Sequence, residues 1–215
     1  EKIKDIQVLV PMKKGEMGID VLNYLIQQRF NKHRENYNKV LNKTFTRNHS
    51  TKVELYFCVG DKVMQTDNNY DIECYERKNA RFVKLKQTGV MNGEVGHIVG
   101  IHKTVNDENE EITEMWVKYE DVYVKYVDDF SELDHAFCMT IHKSQGSQWK
   151  NVFLLIMKNH HRMLENSIIY TGYTRAQEFL CLIGDPSSIE YAIKTQNSAT
   201  RYTSINQILQ TYMSA

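Results

Sequence analysis

The sequence predicts an α/β protein: a parallel sheet with helices on both faces, interrupted by a small antiparallel β module. Three observations predict it. Apolar runs at 152–157 and 179–184 are nearly continuous, as in strands covered on both faces, and stretches of helical periodicity surround them. From about residue 53 to residue 127, short β-branched and aromatic runs alternate with turn formers instead. Charge divides at similar places. The 27 Lys and Arg cancel the 27 Asp and Glu overall, yet residues 1–52 carry 11 basic and 5 acidic groups (+6), residues 53–130 carry 9 and 16 (−7), and residues 131–215 carry 7 and 6 (+1).

The elements follow in order. Ile6 to Val10 is a β-prone apolar run that stops at Pro11, and after Gly15 and Gly18 the residues Ile19, Leu22, Ile26 and Phe30 recur at helical spacing. Together they form a strand, a glycine-bearing loop and a helix. The β module then runs through 62–65, 80–85, 97–101 and 116–127, with turn signals at Asp67-Asn68-Asn69 and Asn92-Gly93. The α/β texture resumes with a strand at 136–141, a buried strand at 152–157, a helix at 168–176 and a strand at 179–184. Pro186 follows, suited to the first turn of a further helix.

Composition excludes several classes. Two prolines and ten glycines do not describe a disordered or fibrous chain. The longest apolar run falls far short of the roughly 20 residues that span a bilayer, and no basic-then-apolar leader opens the sequence, so a cytoplasmic protein without a membrane partner is expected. Cys58, Cys74, Cys138 and Cys181 lack CxxC spacing and read as reduced, mostly buried thiols. His160 and His161 are adjacent, hence point apart, and no metal site is expected. The regional charge can steer a polyanion to one face of a neutral molecule, although the acidic stretch 107–114 reads first as a solvated hairpin tip.

Two polar, glycine-bearing segments follow apolar strands. Residues 140–149 pack Thr140, His142, Lys143, Ser144, Gly146 and Ser147 into one strand-to-helix transition. In a parallel sheet ligands gather outside the carboxyl ends of strands, and amides at a helix start suit a phosphate. An ordinary helix capped by Ser144 or Ser147 is the alternative. In residues 169–176, Arg175 stands among small residues, placed for a bidentate phosphate contact or for a structural salt bridge.

Taken together these segments resemble a known family. TIHKSQGSQ at 140–148 is similar to motif V of superfamily-one DNA helicases in the form typical of the RecD/TraA branch, and YTGYTRA at 170–176 to their motif VI, usually close to YTAxTRA. Residues 6–15, continuing to Gly18-Ile19-Asp20 and Leu22-Asn23, resemble motif IV. Residues 60–66, Asn68-Asn69-Tyr70-Asp71 and 92–96 resemble the stretch that opens the family's β insertion. Four motifs in order carry the likeness along nearly the whole chain, to the C-terminal region of exodeoxyribonuclease V alpha-subunit-like helicases.

The resemblance implies a second RecA-like motor domain, built from residues 1–52 and 131–215 and split by a Src-homology-3-like β-barrel at 53–130. It implies the motor half of an ATP-dependent 5′–3′ DNA helicase used in repair and recombination. Arg175 would be an arginine finger to ATP held by an N-terminal motor domain of the same parent chain, and Gly146, Gln148, Lys13 and Lys14 would lie by the nucleotide. Thr140, His142, Lys143 and Ser144 would contact single-stranded DNA. ATP and Mg²⁺ are the implied cofactors, and RecB/RecC-like subunits are further implied partners. A non-catalytic DNA- or protein-binding module with this fold is the alternative. Two positions depart from the family pattern: Gln148 stands where Glu is common, and Gln177 where Lys is frequent. The 215 residues contain no GxxxxGK[ST] phosphate loop and open at Glu1 directly on the motif IV strand. The expectation is a C-terminal fragment that does not hydrolyse ATP by itself.

Overall fold

A computed structural model describes residues 5–15, 17–33, 38–47, 51–196 and 212. Its parallel sheet has four strands in the order β11-β1-β12-β13: Cys138–Thr140, Ile6–Val10, Trp149–Ile156 and Ala176–Gly184. Alternation along the strands fixes which residues meet which helices. Val10, Cys138 and Leu155 pack with Ile19 and Leu22 of helix α1 (Ile19–Phe30) on one face. Leu9, Leu154 and Ile156 pack on the other with Ile168 of α2 (Asn166–Tyr173) and Ala192 of α3 (Pro186–Lys194). Leu154 and Ile156 are fully buried, each contributing about 1.5–3 kcal/mol of apolar burial. Pro186 opens α3 as expected, behind an Asp185 cap whose carboxylate accepts from the Ser188 amide at 3.0 Å.

Seven strands form the antiparallel sheet, in the order β10-β4-β7-β8-β9-β5-β6. They are β4 (Lys62–Gln65), β5 (Asn69–Lys78), β6 (Arg81–Val90), β7 (Val95–Val105), β8 (Glu111–Lys118), β9 (Tyr123–Val127) and β10 (Leu133–His135). A core of Val63, Cys74, Ile98, Met115, Val117 and Val124 lies on its inner face. A separate hairpin, β2 (Val40–Arg47) with β3 (Thr51–Phe57), precedes it and sends Phe57 into the same core. Residue 53 therefore lies inside a strand of this hairpin, and β10, just past residue 130, still pairs with β4.

Four expectations need correction. The run at 116–127 is two strands, because Tyr119 donates to the Val122 carbonyl and turns the chain at Glu120-Asp121. The strand expected over 136–141 is confined to Cys138–Thr140: Ala136 still donates to Lys62 of the antiparallel sheet, and the chain changes sheets there. The helix expected through residue 176 stops at Tyr173, since Ala176 already pairs with Trp149. No α-helix follows β11. One 3₁₀ turn, His142–Ser144, is closed by the Ser144 hydroxyl donating to the Ile141 carbonyl at 2.6 Å, and the chain then runs to the start of β12.

The seam between the sheets is polar and buried. Asp61, fully buried, accepts from Gln27 Nε2 (2.6 Å), Asn31 Nδ2 (2.6 Å) and the Cys58 amide (2.8 Å), with His135 Nε2 at 3.1 Å. Lys62, 1% exposed, donates to the Ile6 carbonyl (2.9 Å) and to Gln7 Oε1 (2.8 Å). Burial pushes the Lys62 ammonium down to about 8, with Asp5 opposing the shift. Cys58, Cys74 and Cys138 are buried and Cys181 is half-buried. No helix among the described residues is long and apolar enough to cross a membrane.

Candidate functional site

The functional candidates lie at two opposite ends of the parallel sheet. β1 and β12 run parallel with Ile6 opposite Asn151 and Leu9 opposite Leu154. Residues just after Val10 or Thr140 therefore sit at the carboxyl ends of strands, and residues just before Trp149 or Ala176 at the amino ends.

Arg175 is at the amino end, half-buried, and held by three hydrogen bonds. Nε donates to the Thr171 carbonyl (3.1 Å), one terminal nitrogen to the Ser147 carbonyl (3.0 Å), and the other to Thr174 Oγ1 (3.0 Å). All three acceptors are neutral, and among the described residues no carboxylate pairs with Arg175. A guanidinium has five N–H groups, which leaves one on each terminal nitrogen uncommitted. Backbone pairing ties the same place together, as the Trp149 amide donates to the Arg175 carbonyl at 2.9 Å.

Gln148 joins this cluster, with Nε2 3.5 Å from the Thr174 carbonyl and Oε1 accepting from Gln177 Nε2 at 3.4 Å. The two positions that depart from the family pattern thus touch each other, as a pair of neutral amides. Gly146 lies in the same loop with φ +89°, a left-handed conformation that favours glycine, and a Cβ there would meet nothing within 4 Å. The loop therefore presents backbone to open space. Gly146, Gln148 and Arg175 fit the edge of a nucleotide: open backbone, a neutral hydrogen-bonding amide, and a guanidinium with donors to spare. Among the described residues no group of three or more His, Cys, Asp or Glu side chains stands close enough to hold a metal ion.

Lys13 and Lys14 are elsewhere. They follow β1 in the loop between Pro11 and α1, which Gly18 closes tightly: a Cβ on Gly18 would lie 2.5 Å from the Lys13 carbonyl oxygen. That carbonyl accepts from the Ile19 amide (3.1 Å), holding the loop against the start of α1. The two lysines line a groove of ≈470 Å³ with Thr140, His142, Asn159 and Arg162. The structure accordingly groups them with Thr140 and His142, at the opposite end of the sheet from Gly146, Gln148 and Arg175. A second cleft, ≈770 Å³, opens between the Asn92-Gly93 turn and the loop after β11, with His142, Lys143 and Gln148 on its wall. Lys143 Nζ donates to Asn92 Oδ1 across it at 3.3 Å, and His142 borders both spaces.

Thr140 Oγ1 accepts from the Lys143 amide at 3.3 Å and so caps the 3₁₀ turn. Ser144 corrects an expectation: it is fully buried and its hydroxyl is spent on Ile141, so it shapes the turn without reaching a ligand. Arg162 is the functional candidate that sequence reasoning missed. The signal was present, because Lys158, His160, His161 and Arg162 crowd directly after the apolar strand 152–157, and the carboxyl-end rule applied to Thr140 applies there equally.

The chain is similar to several known proteins. The family described as UvrD-like helicase C-terminal domain matches residues 135–183, which include both segments around Thr140 and Arg175. An uncharacterized protein of Methanocaldococcus jannaschii, MJ1519, is 32% identical over 180 residues, covering 83% of this chain and 14% of that protein. The ATP-dependent RecD2 DNA helicase of Deinococcus radiodurans is 26% identical over 206 residues, 94% of this chain and 23% of that protein. The chain thus spans under a quarter of the length of these relatives. In fold it matches the crystal structure of Pif1 helicase from Candida albicans with a TM-score of 0.51 at 15% identity, over 98% of this chain and 50% of that one. Ordered motifs, matched family and relatives converge on one likeness: the chain is similar to the C-terminal region of RecD-like superfamily-one helicases.

Proposed function

We propose that the chain is the second motor domain of an ATP-dependent 5′–3′ DNA helicase. The parallel sheet with its helices forms the motor, and the antiparallel sheet from β4 to β10, with the hairpin β2–β3 that precedes it, forms a Src-homology-3-like insertion that walls the DNA path. The observation that carries the reading is Arg175, a guanidinium fixed by three neutral acceptors with one N–H left on each terminal nitrogen. A cation pre-positioned in this way stabilises charge without reorganising when that charge develops. ATP with Mg²⁺, when bound, would supply the phosphoryl group and its metal. From this chain, Arg175 would face the γ-phosphate, Gly146 would admit the nucleotide close to the backbone, and Gln148 would offer an amide to the ribose. Residues outside this chain would hold the triphosphate, since no phosphate loop occurs in it. Thr140, His142 and Lys143 would grip one DNA strand from the carboxyl-end side, largely without regard to base sequence.

The test uses a form of the protein in which this chain is joined to a phosphate-loop motor domain. Arg175→Ala is expected to lower DNA-stimulated ATPase by about 10³-fold or more while nucleotide binding survives. Activity within about twofold of wild type would overturn the finger role. The polarity is read separately: a duplex with a 5′ single-stranded tail should be unwound and one with a 3′ tail should not.

A further inference from the structure

We propose that Lys62 is a positioning residue for Arg175: its buried ammonium, set against the Trp149 indole, fixes the segment from Ser147 to Trp149 on which the guanidinium rests. The inference rests on the finger reading of Arg175 above and deepens it by naming what holds the finger in place.

Arg175 leans on this segment twice. Its side chain donates to the Ser147 carbonyl (3.0 Å), and its own carbonyl accepts from the Trp149 amide (2.9 Å). The ladder between β12 and β13 does not fix Trp149 by itself, because the pairing shifts register between Trp149 and Asn151. The side chain of Trp149 supplies the missing hold. It is half-buried, packs against the core that contains Met64, and has Lys62 Nζ 5.8 Å from its ring centroid. A cation at that distance is attracted by an indole face, and more strongly where water is excluded, as at Lys62, which is 1% exposed. Lys62 is itself anchored across the two sheets. It donates from β4 to the Ile6 carbonyl (2.9 Å) and to Gln7 Oε1 (2.8 Å) of β1, and Gln7 Nε2 donates onward to the Ala136 carbonyl (3.0 Å).

The charged groups around Lys62 leave the ring as its neighbour. Asp5, ahead of β1, favours the ammonium. The Asp61 carboxylate is engaged with Gln27, Asn31, the Cys58 amide and His135 of β10. His97 stands opposite Lys62 in the β4–β7 ladder, and Lys150, next to Trp149, is exposed. A neutral Lys62 would still donate to both oxygens but would lose its attraction for the indole. Burial brings that change down to about 8, where losing the buried charge favours the fold while loosening Trp149. Stability and positioning therefore move in opposite directions as pH rises, which a purely structural lysine would not produce.

Two measurements test this. Trp116 and Trp149 are the two tryptophans of the chain, so Trp116→Phe leaves Trp149 as the one indole emitter. Its emission should change with a midpoint near pH 8, and the change should be absent when Lys62→Met is added. This titration decides the matter alone if the Lys62→Met chain does not fold. In the form joined to a phosphate-loop domain, Lys62→Met should lower the kcat of DNA-stimulated ATPase about 10- to 100-fold with KM for ATP within about twofold of wild type. Lys62→Arg, which keeps a cation able to stack on an indole, should recover most of that loss. Wild-type kcat should also fall relative to Lys62→Met as pH rises through 8, while wild-type stability rises. Emission that stays flat through this range overturns the proposal, as does a Lys62→Met enzyme that turns over like wild type while Arg175→Ala does not; in both cases the finger reading stands. Full activity in Arg175→Ala overturns the finger, and this proposal with it.

Discussion

The seam between the two sheets and the groove at the carboxyl ends of β1 and β11 both gather charge, but they treat it in opposite ways. In the seam, Asp61 and Lys62 are buried and bonded to groups of the protein interior. In the groove, Lys13, Lys14 and Arg162 are exposed and reach no described partner. Seam charges are committed to architecture, because an uncompensated charge there would cost several kcal/mol. Groove charges cost the fold almost nothing, and that leaves them available to a ligand. Arg175 falls between the two, with three donors spent internally and two retained.

The sharpest way to break the comparison is to remove the seam carboxylate. Asp61→Ala leaves Gln27, Asn31, the Cys58 amide and His135 without their shared acceptor in a site closed to water. The expected loss is about 3–5 kcal/mol of unfolding free energy by urea titration, enough to unfold a marginal domain. Asp61→Asn keeps the shape and one acceptor and should lose less. A loss below about 1 kcal/mol for the alanine variant would mean that the seam is not committed as described.

The second test uses pH. Lys62 has a folded value near 8 against an ordinary value of 10.5, so between these values the unfolded chain binds more protons and stability rises with pH. Below about 8 both states are charged and the burial penalty is paid in full. Comparison with Lys62→Met isolates this from other groups. Between pH 7 and pH 9.5 wild type should gain about 2 kcal/mol relative to the variant. A difference that stays flat with pH would show that the ammonium is not desolvated.

Much of this contrast was legible in the sequence, though unevenly. Glycine-marked loops and period-3.6 apolar residues gave β1, the Lys13–Gly18 loop and α1 because local chemistry dictates them: Gly18 is required where Lys13 folds back. The strand Lys62–Gln65 matched to the residue, and all four of its residues are buried. What stayed hidden depended on which ends of the sheet the loops reach. Lys13 and Gln148 look alike as candidates for one nucleotide, and only the parallel register of β1 with β12 separates them. Ser144 looked like a ligand contact because a hydroxyl in a polar loop carries no sign of its burial. The pairing of Gln148 with Gln177, 29 positions apart, likewise needs the fold.

The smallest effects test the middle of the comparison. Arg175→Ala removes three hydrogen bonds, one to the loop before β12 at Ser147 and two to the end of α2 at Thr171 and Thr174, but the side chain is only half-buried, so water replaces part of what is lost. A destabilisation of about 1–2 kcal/mol follows. Lys13→Ala, Lys14→Ala and Arg162→Ala should each stay within about 0.5 kcal/mol of wild type, and their triple combination should add without coupling, because no described partner is shared. Thermal or urea unfolding of the chain measures all of these in one series. A groove variant that destabilises by more than about 1 kcal/mol would show that its cation is architectural, which removes it from the ligand surface. An Arg175→Ala chain as stable as wild type would show that its three bonds do not hold the guanidinium, and pre-organisation would lose its structural basis even if the residue still served catalysis.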